Sequence, residues 1–273
     1  MIVDLLFHPD YTKKEKLLWA LFTFGMADRH HLAQTLNCSV HNIDRMIKEW
    51  NRKLPPTDRF ILARRPSRDQ PRMYYLGSRG WTLVMEWMEE SRRYYGKKKK
   101  RAGHYRGLTD IFLRLVQRIG YDHLPDRLIW QSDYEAWETI CYPWRLANSE
   151  RWKDPRVREE EQQLLTRPDA RVIVDGYAYW VEYDHDTKRE APMKEQFGRY
   201  IESLAYLPSY VDVHHPVVWV VPTEKRRHDL KSWWSTVKRE PDYQDLEYKP
   251  EMRFFLEGEE TSFFLRENIR QTG

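Results

Sequence analysis

Residues 168–187 read PDARVIVDGYAYWVEYDHDT. Arg171-Val172-Ile173-Val174 and Ala178-Tyr179-Trp180-Val181-Glu182-Tyr183 are two β-prone runs. Asp175-Gly176-Tyr177 lies between them, and Asp-Gly is a hairpin signal because both residues accept the positive φ of a tight turn. Pro168-Asp169 opens the first strand, and Glu182 and Asp184 close the second. Residues two apart on a strand point to the same side, so Glu182 and Asp184 can converge, and the hairpin brings Asp169 near if register allows. Three carboxylates at one end of a small sheet suit a hard cation such as Mg²⁺, which takes one or two carboxylates and fills its shell with water and phosphate oxygens. A cation held this way lowers the pKa of a bound water and stabilises the leaving oxygen of a phosphodiester. The plainer alternative is that Asp169 caps a strand entry while Asp184 and Asp186 form a solvated turn.

Downstream, Pro192 suits the first position of an amphipathic helix over 192–206. Pro216–Val221 (PVVWVV) is a continuous apolar run, the pattern of a strand buried on both faces. A helix over 223–238 places Leu230, Trp233, Trp234 and Val237 inward. Met252–Leu256 and Ser262–Leu265 read as edge strands. Upstream, 104–119 is helical with Leu108, Ile111, Phe112, Leu115 and Val116 on one face. Leu128-Ile129-Trp130 is a short strand, and 132–166 is helix and loop. This order of elements is an α/β sheet of mixed direction with helices on its faces. Trp180, Trp219, Trp233 and Trp234 read as core.

The first hundred residues follow another pattern. Leu17, Leu18, Leu21 and Phe22 recur at helical spacing, with Gly25 as the stop. Asp28 caps a helix over 29–36, and Ser39 caps a third over about 40–53 in which Ile43, Ile47 and Trp50 face inward. Two short helices joined by a tight turn form a helix-turn-helix. The opposite face of the third helix carries His41, Asn42, Arg45, Lys48 and Arg52, donors suited to base edges and phosphates in a major groove. Arg59–Ala63 and Arg72–Leu76 then form a hairpin whose Pro-bounded turn includes Arg64, Arg65 and Arg68. A closing helix over 78–95 follows. Three helices and a basic hairpin look like a winged helix-turn-helix. His30, His31 and His41 lack the spacing of a metal site and read as solvated or packed.

The charge distribution agrees. Residues 1–50 hold 6 basic and 6 acidic residues, whereas 51–101 hold 15 and 5. A local cationic block of this kind points to a polyanion. Lys97-Lys98-Lys99-Lys100-Arg101 resists burial and marks a linker. The domains are therefore expected at 1–96 and 104–273, with a basic linker over 97–103. The 12 Trp, 17 Tyr and 10 Phe exclude a predominantly disordered chain. No run approaches the ~20 apolar residues of a membrane span, and Asp4 interrupts the apolar start, so no signal peptide is expected. Two cysteines, Cys38 and Cys141, support neither a disulfide framework nor a four-thiolate zinc site. The cytoplasm is the expected compartment.

Arg167-Pro168-Asp169-Ala170, Val181-Glu182-Tyr183-Asp184-His185-Asp186-Thr187, Lys194 and Tyr200 together resemble the core of the replication-relaxation family of plasmid and conjugative-element proteins. Its members carry a Pro-Asp-Ala strand, a Glu-x-Asp-x-x-Thr strand end and a helix with Lys and Tyr. The resemblance covers about residues 12–235, including the His104…Leu108-Thr109-Asp110 helix. That family is similar in turn to the PD-(D/E)xK nuclease fold. The resemblance implies an α+β chain: a winged helix-turn-helix followed by a nuclease-like domain, with Asp169 and Glu182 at metal positions and Asp110 as the acid on a preceding helix. Where such a nuclease has Lys, two residues after Glu182, this chain has Asp184. Lys194, one turn into the next helix, is then the candidate amine. His185 sits beside the cluster, in reach of a base or ligand role.

Two functions follow as expectations. The first is a double-stranded DNA-binding protein of a plasmid or other mobile element, acting in replication, relaxation or regulation. Its nuclease-like domain is then a degenerate scaffold for a homodimer, DNA or another mobile-element protein. The second is a Mg²⁺-dependent DNA endonuclease or nickase with Asp169, Glu182 and Lys194 as its catalytic set and Asp169, Glu182 and Asp184 as metal ligands. A protein–protein adaptor fits less well, because charge is depleted from interface cores.

Overall fold

The computed structural model describes residues 1–90, 101–147, 149–150, 153–154, 165–186, 188–205, 207 and 213–266. Lys97–Lys100, the last part of the expected closing helix and Thr187 lie outside the described residues. The chain is mixed α+β, with a small antiparallel sheet and a five-stranded mixed sheet. It divides into two compact units, Met1–Ile129 and Trp130–Gly273.

The first unit begins with α1 (Ile2–Phe7) and α2 (Lys13–Phe24). Thr12 caps α2 reciprocally with Glu15, and Gly25 ends it at φ 72°. Then come β1 (Ala27–Asp28), α3 (Arg29–Thr35) and α4 (Val40–Trp50). Asp28 accepts hydrogen bonds from the His30 and His31 amides, and Ser39 accepts one from that of Asn42. Both caps stand where the sequence puts them. The tight turn between the helices holds Asn37 at φ 44°, a conformation asparagine tolerates.

The hairpin is β2 (Ile61–Arg64) with β3 (Met73–Leu76), and β1 adds to the far side of β3 for the order β1-β3-β2, all antiparallel. Helix α5 (Ser78–Trp87) starts hard against this hairpin. A Cβ on Gly77 would lie 2.1 Å from the Arg59 carbonyl oxygen, and one on Gly80 would lie 2.3 Å from that of Phe60. Glycine at both positions is therefore a packing requirement. Helix α6 (Ala102–Ile119) packs with α2, α3 and β1 inside the same unit. The sequence reading puts the change-over at 97–103; the compact units divide at 129/130.

A short helix α7 (Leu124–Arg127) leads into β4 (Leu128–Ser132). The second unit continues with α8 (Asp133–Ala147), β5 (Ala170–Val174), β6 (Tyr177–Tyr183) and α9 (Glu190–Ala205). It ends with β7 (Val217–Val221), α10 (Glu224–Val237), α11 (Pro241–Gln244), β8 (Met252–Leu256) and α12 (Glu260–Phe264). The sheet order is β4-β5-β6-β7-β8. Strands β5 and β6 are antiparallel, while β6–β7 and β7–β8 are parallel. Asp175 and Gly176 both take positive φ, the turn that Asp-Gly favours. Every residue of β7 is buried, as a strand with parallel neighbours on both sides requires. Trp180, Phe197, Tyr200, Trp219 and Trp234 fill the core, with Trp233 packed at its margin.

Four expectations change. The closing helix stops at Trp87, where Glu89 takes φ 53°, rather than running to 95. The third helix stops at Trp50, so Arg52 lies beyond its cap. Ser262–Leu265 is helix rather than strand: Gly258 turns the chain at φ 95°, and the Glu260 carboxylate accepts the Gly258 amide at 2.7 Å. Glu260, Thr261 and Phe264 are then buried on one helical face. Helix α9 starts at Glu190, two residues before Pro192. No helix among the described residues is long and apolar enough to cross a membrane.

Candidate functional site

Two sets of side chains carry the functional argument, one in each unit. In the first, α4 buries Ile43 and Met46 and half-buries Ile47. That leaves His41, Arg45, Lys48 and Arg52 exposed, with Asn42 half-buried. Arg45 lies 3.9 Å from Glu49 one turn on. Arg64, Arg65, Arg68 and Arg72 are all exposed on the β2–β3 hairpin and its connecting turn. None of these four makes an ion pair with another described residue. The hairpin is joined to α4 by a residue that periodicity does not single out. The Asn51 side-chain amide donates to the Ile61 carbonyl at 2.7 Å, and its oxygen accepts the Ile61 amide at 3.2 Å. A side chain thus extends the ladder by one pair and couples the two cationic surfaces.

His31 is packed, not solvated. Its Nε2 lies 2.9 Å from Asp110 Oδ1 and its Nδ1 3.6 Å from Asp28 Oδ2. Asp110 therefore belongs to a contact inside the first unit. His41 is exposed on α4.

In the second unit, the β5–β6 register pairs Ala170 with Val181, and the next position outward sets Asp169 opposite Glu182. The Asp169 amide donates to the Val181 carbonyl at 3.1 Å, and the Tyr183 amide donates to Asp169 Oδ2 at 2.9 Å. Glu182 is only 4% exposed, and its Oε1 accepts the Tyr200 hydroxyl at 2.6 Å. Burial, and next the neighbouring Asp169, push the Glu182 carboxyl well above the usual carboxylate range; the Lys188 charge and the Tyr200 hydrogen bond act the other way. Burial, then Glu182, pushes the Tyr200 hydroxyl up as well.

Asp184 takes a different partner. Arg226 Nε donates to its Oδ2 at 2.6 Å, with both side chains buried. Asp184 is therefore the anion of a buried ion pair. Among the described residues no group of three or more His, Cys, Asp or Glu side chains is arranged to hold a metal ion. Asp169 and Glu182 together offer two carboxylates on one side of the sheet, oxygen donors of the kind a hard cation takes. Lys194, on the first turns of α9, is tied to Glu190 Oε1 at 2.7 Å. His185 is exposed, its ring 6.3 Å from that of Tyr183. Cys141 is buried, and burial pushes its thiol up to about 12, which makes it inert as a nucleophile.

Comparison with protein-family models, with curated proteins and with solved structures finds no match.

Proposed function

We propose that the chain is a double-stranded DNA-binding protein of the replication-relaxation type, serving the replication, relaxation or regulation of a plasmid or other mobile element in the cytoplasm. The observation that carries this reading is the pairing of two exposed cationic surfaces in one unit. One is the outer face of α4, and the other is the arginine-bearing β2–β3 hairpin. A capped helix of 11 residues that buries one face and offers His41, Arg45 and Lys48 on the other, with Arg52 exposed just beyond its C-cap, suits a major groove. A hairpin with four exposed arginines suits the adjacent backbone, where phosphate contacts position a protein without reading sequence. In this reading the first unit is a winged helix-turn-helix, and the second is a nuclease-like scaffold that contributes a homodimer contact or a partner surface.

A mobility-shift titration of the full chain on linear duplex at low ionic strength tests the reading. Binding is expected, and simultaneous alanine substitution of Arg64, Arg65, Arg68 and Arg72 should weaken it strongly. Equal affinity for the two proteins would remove the hairpin from the interface.

The opposition of Asp169 and Glu182 favours a second reading, a Mg²⁺-dependent endonuclease or nickase. A cation there would act as a Lewis acid on a phosphodiester. Asp169 and Glu182 would hold it, and Tyr200 would orient Glu182. Incubation of supercoiled plasmid with Mg²⁺ or Mn²⁺ tests this: nicking that disappears in Asp169→Ala and Glu182→Ala supports it, and nicking that persists assigns the chemistry elsewhere.

A further inference from the structure

Asp184 stands where the nuclease pattern has a lysine, and what it does instead is visible in its partner. The Arg226 guanidinium that it binds is buried and lies 5.0 Å from the Trp233 ring centroid. Its Nη2 donates to the Lys188 carbonyl at 2.7 Å, and its Nη1 lies 3.4 Å from Asp186. One rigid planar fork therefore grips the segment after β6 at both ends: Asp184 through its side chain and Lys188 through its backbone. The Lys188 side chain leaves that clamped backbone exposed to solvent. Its Nζ donates to Gln196 Oε1 at 2.5 Å, on the same helix as Tyr200. Its charge favours the ionised form of Glu182.

The two lysines differ in charge balance. Lys194 faces the Glu190 carboxylate, which neutralises it. The contact partner of Lys188 is a neutral amide, which orients an ammonium without cancelling its charge. An oriented cation with no carboxylate among the described residues in an ion pair with it, near a buried Glu182 and a half-buried Asp169, is suited to an anionic ligand.

The geometry points to Lys188 as the phosphate-contacting cation of the second unit, its ligand a nucleic-acid phosphodiester, with Asp184 and Arg226 as its positioning residues. This rests on the reading of the Asp169–Glu182 end of the sheet as facing DNA. It reassigns the amine from Lys194, and it gives Asp184 a purpose.

Acetylation footprinting of the full chain, with and without duplex DNA and read by peptide mass spectrometry, tests it alongside a mobility shift. Lys188 is expected to be protected severalfold by DNA, while Lys194 is unchanged. Arg226→Lys retains a cation beside Asp184 but loses the second donor to the Lys188 carbonyl. It should abolish the Lys188 protection while leaving duplex affinity, supplied by the first unit, nearly unchanged. A complex in the gel with Lys188 equally reactive overturns the proposal and leaves the winged-helix reading standing. Protection of Lys194 in its place also overturns it. Protection that survives in Arg226→Lys removes the positioning role. No complex together with no protection overturns both readings.

Discussion

Asp169 lies directly across the β5–β6 ladder from Glu182, and the backbone amide of Tyr183, the residue after Glu182, donates to its carboxylate at 2.9 Å. Two carboxylates are thus held face to face, with the second buried beneath the Tyr200 hydroxyl. Asp169 is held by a backbone amide of the sheet, and Glu182 by a tyrosine of the helix packed against it.

A pH signature follows from the buried member. The Glu182 carboxyl is raised above its usual 4.5 in the folded chain, so the folded state binds more protons than the unfolded state above that pH. Stability from this group is present below the unfolded value and lost as pH rises through the folded one. Glu182→Gln removes the titration and keeps an acceptor for Tyr200. Urea midpoints measured in EDTA across a pH series should therefore favour the glutamine variant increasingly as pH rises above 4.5. Parallel profiles for the two proteins would contradict the assignment.

The Asp184–Arg226 pair is expected to behave as a buried ion pair. Arg226→Met leaves the Asp184 carboxylate buried without its cation, a change of about 3–5 kcal/mol. Asp184→Asn strands the guanidinium in the same way. The double variant should lose much less than the sum of the two, and a double-mutant cycle on denaturant midpoints reads the difference. Additive losses would mean the two side chains do not depend on each other.

Gly77 and Gly80 give a local test of the first unit. A methyl group at either position must displace a backbone carbonyl, and such overpacking is worth about 1–3 kcal/mol. Gly77→Ala and Gly80→Ala should lower the melting temperature and loosen the hairpin against α5, with weaker duplex binding as a consequence. An unchanged melting temperature would show that the close approach is not maintained in solution.

How much of this is legible in the sequence depends on whether the information is local. The nearness of Asp169 to Glu182 is, because the Asp-Gly turn announces the hairpin; the exact opposition is not, since Tyr177 belongs to the strand and not to the turn, and that one residue sets the register. The caps Asp28 and Ser39 are legible, as each acts within three residues. The partner of Asp184 is not, since Arg226 lies 42 residues away on a different element. Strand alternation gives the side of the sheet and not what waits there. Asn51 is hidden because a side chain that imitates a strand leaves no periodic trace. Phe263-Phe264 reads as strand by composition, and the turn at Gly258 decides otherwise. Lys194 is the amine that the sequence pattern offers; Lys188 carries no motif, and only its contact with Gln196 brings it forward.

The salt dependence of duplex binding tests the central claim most directly. Each phosphate neutralised by a cation contributes a slope of about −0.9 to log K against log salt. The full chain should bind duplex with a steep negative slope, and alanine at Arg64, Arg65, Arg68 and Arg72 should make that slope shallower by roughly 1 for each arginine that meets a phosphate. A flat slope for the full chain, or the same slope in the variant, would contradict the account.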